Sequence, residues 1–136
     1  MAARSGLKSK GDNMTISYTC VLIAALLPYI TVALAKMQPG FDNNAPRPWL
    51  ENLTGWRRRA YWAHQNGFEA FPPFAAGVII AQLAQVPQGR IDMLAITFIV
   101  ARVAYVAAYL VDAAVLRSVV WFLGMLCVVG LFVSAF

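Results

Sequence analysis

The chain is 136 residues long, 60% hydrophobic and only 12% charged, with a formal net charge of +5. A soluble domain carries about a quarter charged residues, so the composition excludes an ordinary soluble globular protein and describes one that lives in a bilayer. The positive charge is too diffuse for a nucleic-acid partner, and Lys and Arg gather in the first 60 residues, as loop charges do in membrane proteins.

Residues 1–13 are polar, with Arg4, Lys8 and Lys10 among glycines, and have nothing to bury. They are expected to form a disordered or leader segment ahead of a domain over 14–136, with Met14 a candidate start. Ile16 to Ala35 is the first apolar run, uncharged over about 20 residues and long enough to span a bilayer. Its basic start and Ala33-Leu34-Ala35 resemble a signal peptide. The apolar run is too long for a typical one, which favours a retained helix. Pro28 should kink that helix, and Thr31 is the type of residue that re-satisfies a freed carbonyl.

Met37 to Gly55 reads as a loop, because Pro39-Gly40, Asp42-Asn43-Asn44, Pro46 and Pro48 are turn formers. Asn52-Leu53-Thr54 matches a glycosylation sequon, which reads as chance or as a cap for the next helix. A second long helix should begin near Thr54 to Arg57 and run to about Gln85. Its first third is basic, its remainder apolar, and Pro72-Pro73 should bend it. Val86-Pro87-Gln88-Gly89 should end it. Ile91 to Val111 is a third span interrupted by Arg102, and Val115 to Phe136 a fourth, in which Gly124 and Gly130 permit close helix contact. The expected fold is all-α: a membrane-embedded four-helix bundle of four transmembrane helices with both termini on one side. Lys36, Arg47, Arg57, Arg58, Arg59 and Arg117 fall on the side of loops one and three. That side is expected to be cytoplasmic.

Cys20 and Cys127 lie in apolar runs and read as small buried hydrophobes. No CxxC or metal-ligand spacing occurs, so no metal is expected. The chemistry lies in two polar stripes. At about 100° per residue, Arg59, Trp62, Asn66, Glu69 and Pro73 fall within about 80° of one another, whereas His64 lies about 140° from Arg59. On the third span, Arg102, Tyr105, Tyr109 and Asp112 share a second stripe about 80° wide. A buried arginine needs a counter-charge or a wet cavity. Glu69 is the only acidic residue in an apolar interior, so Glu69 and Arg102 should lie near each other, either paired directly or through a ligand. Gln82 and Gln85 sit at interfacial depth, where solvation accounts for them, and Asp92 and Asp112 lie at the ends of their span, where they are less constrained. Arg59, Asn66, Tyr105, Tyr109 and Arg117 exceed what a structural ion pair requires, and they suit a small anionic ligand. Arg117 could hold a thiolate.

Three motifs carry a resemblance to the MAPEG family, the membrane-associated proteins in eicosanoid and glutathione metabolism. They are Ala63-His64-Gln65-Asn66-Gly67-Phe68-Glu69 with Pro72 following, Arg102-x-x-Tyr105-x-x-x-Tyr109, and Arg117-Ser118. The stretches Gly40 to Arg47 and Glu69-Ala70-Phe71-Pro72 look like the family's bacterial branch, which implies a bacterial inner membrane. The resemblance implies a homotrimer of four-helix subunits. It implies glutathione as co-substrate, bound between neighbours by Asn66, Glu69, Tyr105 and Tyr109 with Arg102 and Arg59 beside them, and a thiolate stabilised by Arg117. The partners it implies are the chain itself, membrane lipid and a lipophilic small-molecule substrate. The implied activity is that of a transferase or peroxidase acting on a lipophilic electrophile; the alternative is a non-catalytic membrane protein whose stripes stabilise an oligomer or bind lipid. The chain departs from the family at Trp62, which stands where the family has an arginine, and the spacing from Tyr109 to Arg117 differs by a residue from that of some members.

Overall fold

The computed structural model describes residues 15–136; the expected leader segment over 1–13 lies outside them. Five helices follow in order: α1 (Ile16–Lys36), α2 (Pro46–Glu51), α3 (Gly55–Leu83), α4 (Gln88–Leu110) and α5 (Ala114–Val133). The four long ones form the bundle. α1 packs mainly on α3 and α4 mainly on α5, while α3–α4 and α1–α4 contacts join the two pairs. α1, α4 and α5 are long and apolar enough to cross a membrane. α3 has 29 residues, a length of about 43 Å against a hydrocarbon core of about 30 Å. Its arginine-bearing first turns are the surplus that can stand in the interface. Large apolar side chains cover the outside of the bundle, Tyr29, Ile30, Val100, Val119 and Phe122 among them, as a lipid solvent allows.

The core is stitched by aromatic stacking and small residues. Phe74 of α3 and Phe98 of α4 stack at 3.9 Å between centroids with an interplanar angle of 9°. Cys20 and Cys127 are unpaired and buried in the same cluster, with Val78, Ile91 and Leu131. Gly124 lies against the Phe98 ring and Gly130 against Leu94, as the close-contact expectation requires. The tightest crossing is that of α1 and α3. A Cβ on Gly67 would meet Pro28 Cγ at 2.8 Å, so only glycine lets the proline ring seat there. One turn away, His64 Nδ1 hydrogen-bonds the Pro28 carbonyl oxygen at 2.7 Å.

Several local expectations need correcting. The loop over 37–55 contains α2, with Pro46 at its start. The first helical turn needs no N–H donors, so prolines begin a helix there although they stop one elsewhere. Leu50 and Leu53 are then buried against Ala35, Ala60 and Tyr61. Thr31 Oγ1 donates to the carbonyl of Leu27 at 2.8 Å, not to that of Ala24, the carbonyl Pro28 deprives of a partner. The second long helix is as expected: α3 runs on through Pro72 and Pro73 to Leu83.

Both helix ends that flank α4 finish in the same device. Val86 N–H donates to Ala81 O and Gln85 N–H to Gln82 O, and at the end of α4 Ala113 N–H donates to Ala108 O and Asp112 N–H to Tyr109 O. These are Schellman closures, with Gln85 at φ 57 and Asp112 at φ 61 where glycine is usual. The first closure ends α3 before Pro87, so Gln88 and Gly89 belong to α4 instead of to a stop signal. The second folds loop three tightly enough to set Arg117 beside the last turn of α4.

Candidate functional site

At the arginine-bearing end of the bundle, six side chains line an open cavity of ≈ 390 Å³: Trp62, Gln65, Asn66 and Glu69 from α3, Tyr105 and Tyr109 from α4. The helical period produces this wall. Positions 62, 66 and 69 of α3 and 105 and 109 of α4 recur at three- and four-residue steps, so each helix presents one stripe, and the α3–α4 packing faces the stripes toward each other.

The polar groups are linked in series. Arg102 Nη1 donates to Asn66 Oδ1 at 2.9 Å, and Asn66 Nδ2 donates to Glu69 Oε2 at 3.1 Å. Glu69 and Arg102 are therefore close, as the stripes required, and Asn66 stands between them. Arg102 is 5% exposed and is absent from the cavity wall; it sits behind Asn66 with its guanidinium 4.3 Å from the Tyr105 ring centroid. Arg117 occupies the corresponding place behind Tyr109, 4.4 Å from that ring. Tyr105 and Tyr109 meet edge to face at 5.5 Å. Each cavity tyrosine thus carries a guanidinium on its ring, a cation–π pairing that brings positive charge close to the wall.

The remaining expected residues are distributed differently. Arg59 donates through Nε and Nη2 to Leu110 O, at 3.4 and 3.0 Å, and so satisfies a carbonyl at the C-terminus of α4 where a cation is favoured. It borders the site without lining it. Arg58 lies over the Trp62 ring at 5.1 Å, so the tryptophan at the family arginine's position is itself backed by an arginine. Pro73 turns inward to a small cavity with Phe98 and Arg102. Asp112 is exposed in loop three. His64 points away from the stripe, as its position on the helical wheel predicted, and faces α1. Gln65 was missed, although it lies about 40° beyond Glu69 on the wheel, at the edge of the stripe. A narrower cavity of ≈ 90 Å³ continues from Asn66 and Glu69 past Ala70 to Trp121 and Met125 of α5, which connects the polar wall with the lipid-facing surface.

A second polar cluster, at the opposite end, went unrecognised. Ser17, fully buried, gives its N–H to Asp92 Oδ1 at 3.0 Å and takes bonds on Oγ from Gln82 at 3.1 Å and Gln88 at 3.3 Å. Gln88 also donates to Asp92 Oδ1 at 2.8 Å, and Gln82 to Gln88 Oε1 at 3.0 Å. Solvation therefore does not account for Gln82, and Asp92 is constrained despite its place at a span end: they tie α1, α3 and α4 together.

An all-helical bundle with three helices long and apolar enough to cross a membrane, and a polar cavity between its second and third long helices with the buried Arg102 behind it, defines an integral membrane protein. Residues 16–136 match the sequence model of the MAPEG family, and the chain belongs to that family, whose fold is a four-helix membrane bundle. Many members are glutathione transferases or peroxidases, and members are typically trimeric. No curated protein and no solved structure matches the chain significantly.

Proposed function

We propose that this protein is a glutathione-dependent membrane transferase or peroxidase acting on a lipophilic electrophile, working as a homotrimer in a bacterial inner membrane with loops one and three cytoplasmic. The observation that carries the reading is that Asn66, Glu69, Tyr105 and Tyr109, some 40 residues apart in two groups, line one cavity. Family membership supplies the ligand class.

In this reading the glutathione peptide lies against Asn66, Glu69 and Tyr105, with Gln65 and Trp62 at the rim and Arg59 and Arg102 supporting from behind. Its sulfur lies at Tyr109. The thiol proton passes to water through the open cavity, and the thiolate is stabilised by the Tyr109 hydroxyl in the field of Arg117. The sulfur then forms a bond to an electrophilic carbon of an acceptor arriving from the bilayer along the Trp121–Met125 groove, and the electron pair of the bond broken at that carbon leaves with its leaving group or, for an epoxide or conjugated alkene, is protonated by water. With a hydroperoxide the sulfur bonds the terminal oxygen as the O–O bond breaks, the departing alkoxide takes a proton from water, and a second glutathione thiol converts the sulfenic acid to the disulfide with loss of water. Oligomer formation would close the open side of the cavity.

One observation favours the alternative, a non-catalytic membrane protein. Glu69 is the only charged residue in the cavity wall, and each arginine nearby is engaged with a ring, an amide or a carbonyl. Glutathione titrated into purified protein separates the readings. A thiolate absorbance band and a higher melting temperature are expected; no binding at millimolar glutathione removes the enzyme reading. The non-catalytic reading requires that Glu69→Gln and Arg102→Met dissociate the oligomer in detergent, and it fails if both variants stay assembled.

A further inference from the structure

We infer that two internal water molecules, one on the α1 side of Arg102 and one on the α5 side, bridge its guanidinium to the main-chain carbonyls that Pro28 and Pro73 leave without a donor. The inference concerns the interior of the bundle and does not depend on glutathione.

A guanidinium carries five N–H donors and no acceptor. Among the described residues Arg102 spends one of them, from Nη1 to Asn66 Oδ1 at 2.9 Å. The Tyr105 ring covers a face of the group, 4.3 Å away, and leaves the in-plane N–H groups unmet. A charge in a membrane interior needs partners or water. Among the described residues, Arg57 Nε is the one side-chain polar atom both fully sealed and without a partner. The unspent nitrogens of Arg102, a residue only 5% exposed, therefore touch space that water can enter.

Two chambers border the guanidinium. One, of ≈ 20 Å³, lies between α3 and α5 and includes Ala70, Pro73 and Gly124 in its wall. The other, of ≈ 10 Å³, lies toward α1 and includes Ala24, Leu27 and Pro28. A water molecule needs about 10 to 15 Å³ of such space, so each chamber takes one and neither takes a larger ligand.

The matching acceptors come from the backbone. Proline has no N–H to give the carbonyl one turn before it. Pro28 so frees the carbonyl of Ala24, and Pro72 and Pro73 free those of Phe68 and Glu69. Thr31 does not serve Ala24, because its hydroxyl goes to Leu27 O. The Ala24 carbonyl stands among three residues of the α1-side wall, and the Glu69 carbonyl stands between Ala70 and Pro73 of the other. Pro72 is exposed and borders neither chamber. Across each chamber an arginine donor thus faces a carbonyl acceptor. Water joins them, since it accepts from the one and donates to the other, and water is a usual partner for proline-freed carbonyls in membrane helices. A chloride ion would suit the guanidinium but would meet the carbonyl lone pairs. The two bridges tie α4 to α1 and to α3.

Infrared spectra of the protein in lipid vesicles, taken in ordinary and in oxygen-18 water, isolate the O–H stretches of sequestered water. Thermal unfolding shows which variants are folded. Pro28→Ala and Pro73→Ala each return an N–H to the carbonyl and should each lose one isotope-sensitive band of the wild type, not the same one. Pro72→Ala should keep both, and Arg102→Met should lose both. If Arg102→Met does not fold, the proline variants decide, since Arg102 is intact in them. A wild type without such bands, a folded Pro28→Ala or Pro73→Ala that keeps both, or a Pro72→Ala that loses one would overturn the inference. A crystal structure grown with bromide in place of chloride checks the occupant. One density peak per chamber is expected, about 2.7–3.2 Å from an Arg102 nitrogen and from the carbonyl oxygen, with no bromide anomalous signal. A bromide signal there, or a chamber without density, would contradict the assignment.

Discussion

The two polar clusters of this bundle are built from similar residues and end differently. At the far end, Ser17, Gln82, Gln88 and Asp92 consume one another: Asp92 Oδ1 takes both the Ser17 N–H and the Gln88 amide, and the Ser17 hydroxyl takes two further amide donors. At the arginine end, Asn66 links Glu69 to Arg102, and Asn66 and Glu69 with Tyr105 and Tyr109 stand around an open cavity of ≈ 390 Å³ with capacity left over. Polar groups bonded to one another across three helices, around the fully buried Ser17, give rigidity. Groups held in place from behind, with their remaining lone pairs facing outward, are prepared for a ligand. The contrast separates a structural from a functional reading of polar residues in a membrane segment.

The comparison can be broken from either side. Asp92→Ala strips the acceptor from the N-terminal turn of α1 and from Gln88, a loss of about 3 kcal/mol. Thermal unfolding should show that loss with glutathione affinity unchanged; an affinity change as large as the stability change would erase the distinction between the clusters. Gly67→Val drives a side chain into the Pro28 ring, where even a Cβ would come within 2.8 Å, at a cost of about 2 kcal/mol. Its expected signature is a lower melting temperature that Gly67→Ala shares in part; equal stability of all three would show that α1 and α3 do not depend on that contact. The smallest change sharpens the ligand side. Trp62→Arg restores the family's arginine at the cavity rim and should tighten glutathione binding about tenfold, or about 1.4 kcal/mol, by titration. A weaker complex would mean that Trp62 contributes contact that the arginine cannot replace.

How much of this was legible in the sequence depends on the range of the interaction. The spans were readable because bilayer thickness and apolar run length are local quantities. The stripe of Trp62, Asn66 and Glu69 and that of Tyr105 and Tyr109 were readable because helical period is local too. The hidden features depend on residues far apart in the chain. The bonds of Ser17 to Gln82, Gln88 and Asp92 span 65, 71 and 75 residues, and nothing near Asp92 in the sequence marks it as the acceptor for another helix's first turn. The partner of Arg59, Leu110 O, lies 51 residues away, and a carbonyl has no residue type to recognise. α2 was hidden for a different reason: proline stops helices in general and starts them at one position, and only the chain's path decides which.

The same limit explains Arg102. Its stripe assigned it correctly to the neighbourhood of Glu69, but periodicity gives direction around an axis and not depth along a side chain. The guanidinium stops one layer short of the cavity, against Asn66 and Tyr105, and Arg117 does the same behind Tyr109. The departure at Trp62 belongs with this pattern, since it too has an arginine behind its ring. Positive charge surrounds the cavity while the wall itself is amide, carboxylate and aromatic ring.

The most direct test of that division is a calorimetric titration of glutathione into detergent-solubilised wild type, Glu69→Gln and Asp92→Asn side by side. The account predicts saturable binding at millimolar ligand for the wild type and for Asp92→Asn, and a loss of about thirtyfold, or about 2 kcal/mol, for Glu69→Gln. No saturable heat in the wild type, or equal losses in both variants, would contradict it.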